Sequence, residues 1–120
     1  MTDLTETSIA DLSRFLGQGD LRSSDLVAAY RAKIEAEDDD FNAVAFLNPD
    51  ADEIAADLDR ERAAGTIRGP LHGIPILVKD NIATGDAMMT SAGSLALDGV
   101  RAPADSHVVS RLRVAGAVFY

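Results

Sequence analysis

Gly69-Pro70-Leu71-His72-Gly73-Ile74-Pro75-Ile76-Leu77-Val78-Lys79-Asp80-Asn81 is the stretch from which the rest of the chain is read. A Gly/Pro-rich turn feeds a short apolar run that ends in a lysine and an aspartate. Ile74 and Ile76 to Val78, bounded by turn signals, predict a buried strand. Pro75 has no N–H to give to a ladder, so it belongs at the strand's first position. Alternation puts Leu77 and Lys79 on one face, Val78 and Asp80 on the other. Lys33 and Lys79 are the only lysines among 11 basic residues, the others being arginine. The commoner fate of a lysine at a strand end is a solvated cap. A lysine desolvated there would instead have a lowered pKa and could accept a proton at working pH.

Downstream, residues 82 to 97 are rich in Gly, Ala, Ser, Thr and Met and predict an irregular loop. Its hydroxyls are Thr90, Ser91 and Ser94. No G-x-S-x-G elbow surrounds them, so their expected role is bonding to loop backbone rather than nucleophilic attack. Met88 and Met89 could line a pocket but more often fill gaps. Residues 104 to 115 predict a helix, with Asp105 as cap, Val108, Val109 and Leu112 inward, and Arg111 and Arg113 in its last turns. Gly116 stops it, and residues 117 to 120 begin a strand. Strand, loop, helix, strand implies a parallel α/β unit with a right-handed crossover.

Upstream, three helices are predicted. Residues 7 to 17 place Ile9, Leu12, Phe15 and Leu16 on one face, with Thr7 or Ser8 as cap and Gly17-Gln18-Gly19 as stop. The second runs from Ser23, read as its cap, to Glu37, with Leu26, Val27, Tyr30 and Ile34 inward. Glu37-Asp38-Asp39-Asp40 then reads as a solvated loop, because the Gly and the acid of an EF-hand loop are missing from their positions. Residues 43 to 47 predict a short strand. Asn48 as cap and Pro49 at the first helical position open the third helix, which runs to Ala64. Ile54, Ala55 and Leu58 face inward, Gly65 ends it, and Asp57, Asp59, Arg60, Glu61 and Arg62 form a solvated face.

At 120 residues the chain is one domain's worth at most. Residues 1–66 are its helical part and residues 67–120 the start of an α/β core that carries the lysine. There is no cysteine, hence no disulfide framework or thiolate metal site, and His72 and His107 stand alone, so no metal and no cofactor is expected. A net charge of −9 repels phosphate backbones and argues against direct nucleic-acid binding. The acidity fits either a well-hydrated surface or a salt-adapted host. No apolar run is long enough to span a membrane, and the N-terminus is acidic, unlike a signal peptide; a cytoplasmic location is the default.

Three ordered motifs then converge. The stretch 69–81, the run Thr90-Ser-Ala-Gly-Ser-Leu-Ala-Leu97 and the run Asp105-Ser-His-Val-Val-Ser-Arg-Leu-Arg-Val-Ala-Gly-Ala-Val118 resemble the amidase signature family, and residues 8 to 64 fit its N-terminal helices. Within the family the chain is most similar to general and peptide amidases, with the A subunits of tRNA-dependent amidotransferases as the close alternative. The resemblance implies the N-terminal part of that α/β fold, helices packed on a partial mixed sheet. It implies hydrolysis of amide bonds by a Ser–cis-Ser–Lys mechanism in which Lys79 is the general base. Gly73, Asp80, Asn81, Thr90, Ser91, Gly93 and Ser94 would support it without reacting. The two serines and the oxyanion hole fall, in the family, beyond the point matching Tyr120. The 120 residues alone are therefore expected to be inactive and poorly self-sufficient, either as a truncated form or as one half of a split enzyme. Their expected partners are a small-molecule or peptide amide, the remainder of such an enzyme, or a second copy.

Overall fold

The computed structural model describes residue 4 and residues 6–120. Four helices, α1 (Ile9–Gln18), α2 (Ser23–Phe41), α3 (Ala51–Ala63) and α4 (His107–Val114), surround two short strands, β1 (Pro75–Ile76) and β2 (Val118–Phe119). The strands are parallel, with Pro75 opposite Val118 and Ile76 opposite Phe119. Successive residues of β2 face opposite sides. Val118 and Tyr120 join Val27 of α2 and Ala51, Ala55 and Leu58 of α3 in one cluster. Phe119 joins Val109 of α4 and Met88 in another. Ile74, at the entry to β1, packs with Leu12, Leu16 and Leu26 in a third. Among the described residues no helix is long and apolar enough to cross a membrane.

Local signals set most helix ends. Ser8 accepts the Asp11 N–H at 3.1 Å, and Gly19 closes α1 at φ 79°. Ile9 and Val108, read as inward, are 52% and 50% exposed, because each lies at the margin of its helix's apolar stripe. Helix α4 is capped by Ser106, not Asp105, whose carboxylate takes the Gly85 N–H and the Arg113 guanidinium instead.

Helix α2 departs further from the sequence reading. It continues through the acidic run to Phe41. Its end is held by Asn42 at φ 52° and by the Asp38 carboxylate, which accepts the N–H groups of Ala43 and Val44 at 2.9 and 3.2 Å. Those two bonds offset the unfavourable charge at the helix C-terminus. Ser23 is not a cap but is 1% exposed, donating its hydroxyl to Gly73 O at 2.9 Å. The α2 N-terminus is closed from α3: Asp59 accepts Ser23 N–H, Ser24 N–H and the Ser24 hydroxyl. Asp59 is therefore half-buried rather than part of a solvated face.

Residues 43 to 47 form no strand; two of their N–H groups go to Asp38, and no strand lies beside them among the described residues. Asn48 is buried at 1% exposure and joins two elements, with Nδ2 on Phe119 O and Oδ1 on Asp50 N–H. Helix α3 accordingly starts at Ala51, after Asp50, and Gly65 terminates it at φ 84°. The apolar run after Pro75 is only partly strand: Leu77 is 54% exposed and Lys79 is exposed as well.

Candidate active site at the end of the first strand

Lys79 stands three residues past β1. A turn fixes its backbone, with Ile82 N–H donating to Lys79 O at 2.9 Å. Its side chain makes no ion pair and no hydrogen bond among the described residues. The buried strand end expected from the sequence is not found: β1 stops at Ile76, and among the described residues Leu77 and Lys79 are exposed. Lys79 lies on the wall of a cavity of about 250 Å³, between the segment carrying Val44 and Phe46 and the segment 77–80, with Met88, Met89 and Tyr120 completing it. A larger, mainly apolar cavity of about 390 Å³ shares Val44, Leu77 and Tyr120 with it but does not include Lys79. The smaller one is the relevant one, since it is the one on whose wall Lys79 lies.

Asp80 lies on the same wall, with its carboxylate engaged by the loop that follows. Its carboxylate accepts Ser91 N–H at 2.9 Å, the Ser91 hydroxyl at 2.6 Å and Gly93 N–H at 3.4 Å, and its backbone carbonyl accepts Ala92 N–H at 3.0 Å. The Ser91 hydroxyl, foremost, and these amides hold the Asp80 carboxyl below the usual carboxylate range. Ser91 is 7% exposed and its oxygen also accepts Gly93 N–H at 3.2 Å, so both roles of that hydroxyl are taken. Ala92 at φ 50° and Gly93 at φ 74° make two consecutive left-handed residues.

The other sequence-selected positions are spread out. Gly73 sits beneath the entry to β1 at φ 83°, donating to Gly116 O at 2.8 Å; a Cβ there would come within 3.0 Å of Ser23 Cβ. Thr90 donates its N–H to Val100 O, and its buried hydroxyl has no protein partner. Asn81 is exposed, its side chain making no hydrogen bond among the described residues, and Ser94 is exposed at the start of a 3-10 turn, Leu95–Leu97. Among the described residues no group of three or more His, Cys, Asp and Glu side chains could hold a metal ion.

Two supports escaped the sequence reading. His72 is 1% exposed: Nδ1 accepts Arg68 N–H, so Nε2 carries the proton and donates to Leu58 O at 2.9 Å. Ala92's left-handed backbone had no signal, since alanine rarely adopts it. The pairing of His72 with α3 was equally hidden, because its partners are backbone groups that any residue offers.

Comparison with known proteins places these features. The amidase family model matches residues 25–120. The crystal structure of a peptide amidase from Stenotrophomonas maltophilia superposes with a TM-score of 0.92 at 52% identity, over 97% of this chain and 24% of that one. A Schizosaccharomyces pombe relative carrying an amidase name is 48% identical over 117 residues, 98% of this chain and 20% of its own length. A glutamyl-tRNA(Gln) amidotransferase subunit from Salinispora arenicola is 41% identical over 98% of this chain and 24% of its own length. The chain thus spans between a fifth and a quarter of the length of these relatives.

Proposed function

The chain belongs to the amidase family, and on that premise we propose that it supplies the general base, Lys79, of an enzyme that hydrolyses carbon–nitrogen bonds of amides. The observation that carries this reading is the lysine itself: one of two in the chain, without an ion pair among the described residues, just past a strand end and beside a cavity. A neutral amine there takes a proton from a serine hydroxyl, which in turn deprotonates the attacking serine. The acyl-enzyme forms as the amine or ammonia leaves, and water releases the acid. Both serines, and the donors that stabilise the oxyanion, would come from the part of the relatives' length that these residues do not span. Asp80, Ser91 and Gly93 support the segment and do not react. A peptide amide or small amide is the favoured substrate, because the identity to the peptide amidase exceeds that to the amidotransferase chain, 52% against 41%.

The test uses the complete polypeptide that carries this segment, assayed for ammonia release from simple amides and amidated peptides. Lys79→Ala should lower kcat/KM by about 100-fold or more, the usual contribution of a general base. Lys79→Arg should be nearly as damaging, since a guanidinium keeps its proton. Both variants should keep a cooperative melting transition, so that a lost rate reports the reacting group and not the fold. Near-normal turnover in Lys79→Ala would refute the assignment. Hydrolysis that appears only with an aminoacyl-tRNA acceptor would favour the amidotransferase reading.

A further inference from the structure

We propose that Arg113 is a positioning residue for the candidate active site: by clasping Asp86 and Asp105 it holds the wall formed by Met88 and Met89, against which the apolar acyl group of an amide substrate rests. The proposal depends on the reading of Lys79 as the base. Met88 and Met89 line the cavity on whose wall Lys79 lies, together with Val44, Phe46 and Leu77. When the leaving group is ammonia, the acyl side is all of the substrate that can fill such a space, and an apolar wall favours an apolar chain there.

A wall of methionines needs support from outside. The side chain is unbranched and adapts its shape to whatever touches it, so its backbone and its neighbours set its place. For Met88 both lead back to Arg113. The Asp86 carboxylate accepts Met88 N–H through Oδ1 at 3.0 Å and the Arg113 guanidinium through Oδ2. Arg113 Nε donates to Asp105 Oδ2 at 2.9 Å, and Asp105 Oδ1 accepts Gly85 N–H at 2.7 Å. One guanidinium thus ties residues 85 to 88 to α4 through two carboxylates. Its Cζ also lies 4.7 Å from the centre of the Phe119 ring, and Phe119 packs with Met88 and Val109.

Among the described residues this clasp is the ion-pair group most shielded from water, and it joins positions 8 and 27 residues apart. A planar fork serves two carboxylates at once, which an ammonium on a flexible stem does less well. The backbone follows the same plan. A Cβ on Gly85 would lie 2.8 Å from Ala104 Cα, and Ser106 N–H donates to Ala83 O at 2.9 Å. The chain leading to the wall is therefore pressed against the lead into α4. Met89 is steadied from the other side, with Gly99 N–H on its sulfur.

The test reads selectivity. In the complete polypeptide, kcat/KM is measured for hexanamide and for acetamide, which differ in the length of an apolar acyl chain. The ratio of the two values does not depend on how much of the enzyme is folded, so a loss of stability alone leaves it unmoved. Met89→Ala should change that ratio by about 10-fold or more, the scale of a few methylenes in an apolar pocket. Arg113→Met should lower it by about 10-fold, mainly through a raised KM for hexanamide, and Arg113→Lys should recover part of the loss. Asp86→Ala should lower it by a similar factor, and the double variant no further, because the two residues act as one unit. If Arg113→Met fails to fold, Asp86→Asn decides. A ratio unmoved by the Arg113 and Asp86 variants overturns the positioning role, and one unmoved by Met89→Ala overturns the wall as a substrate surface. Hydrolysis that survives Lys79→Ala overturns the base reading instead.

Discussion

Gly116 links α4 to β2 and touches the turn that leads to Lys79, which makes Gly116→Ala a sensitive probe of the fold. Its φ is 87°, and a Cβ would lie 2.8 Å from His72 Cα, with His72 Cβ and Nδ1 at 3.1 Å. Two costs therefore combine. Placing an L-residue in left-handed backbone costs roughly 1–2 kcal/mol, reduced by up to about 1 kcal/mol because alanine also restricts the unfolded chain. The contact with His72 adds an overpacking cost of roughly 1–3 kcal/mol, since a backbone atom cannot step aside as a flexible side chain can. His72 is itself fixed by Leu58 O, Arg68 N–H and the Arg62 guanidinium on its carbonyl, so relief by movement would break those bonds. Gly65 supplies the control. It has nearly the same φ, 84°, and nothing within 4 Å of its would-be Cβ. Urea denaturation should show Gly65→Ala losing about 1 kcal/mol and Gly116→Ala about 2–4 kcal/mol, a gap that isolates the close approach. Equal losses in the two variants would refute the argument that His72 packs against Gly116.

Two further expectations follow from the hydrogen bonding. Asp59→Ala removes the acceptor of three bonds at the α2 N-terminus and should cost about 1–3 kcal/mol by denaturation, against about 1 kcal/mol for Ser24→Ala; equal effects would mean that Ser24 alone carries the cap. The Asp80 carboxyl is lowered in the folded chain, chiefly by the Ser91 hydroxyl, so its contribution to stability is present above the ordinary aspartate value and is lost as pH falls below about 4 through the lowered folded value. Asp80→Asn should flatten that acid limb of the stability profile, and an unchanged limb would place the acid sensitivity elsewhere.

What the chain disclosed as sequence was local. The helix cores at Leu12 and Leu16, at Leu26 and Val27, and at Ala55 and Leu58 were legible because apolar residues recur with the helical period. Pro75 at the start of β1, Gly19 and Gly65 as helix stops, and the parallel pairing across a helix follow from backbone rules that operate within a few residues. The motif around Lys79 was legible for the same reason, since its residues are contiguous. Tertiary structure decided whatever depends on partners distant in the chain. Asp59 caps a helix 35 and 36 residues before it, and Asn48 joins Phe119 across 71. Asp38 extends α2 through a run of acids that by charge alone would have ended it. Lys79 follows a strand that ends at Ile76, and its neighbour Asp80 bonds to a serine 11 residues away. A side chain's periodicity shows which way it faces along its own element. Which polar group meets it is set by how the elements pack, and buried or half-buried donors take whatever acceptor that packing brings within reach.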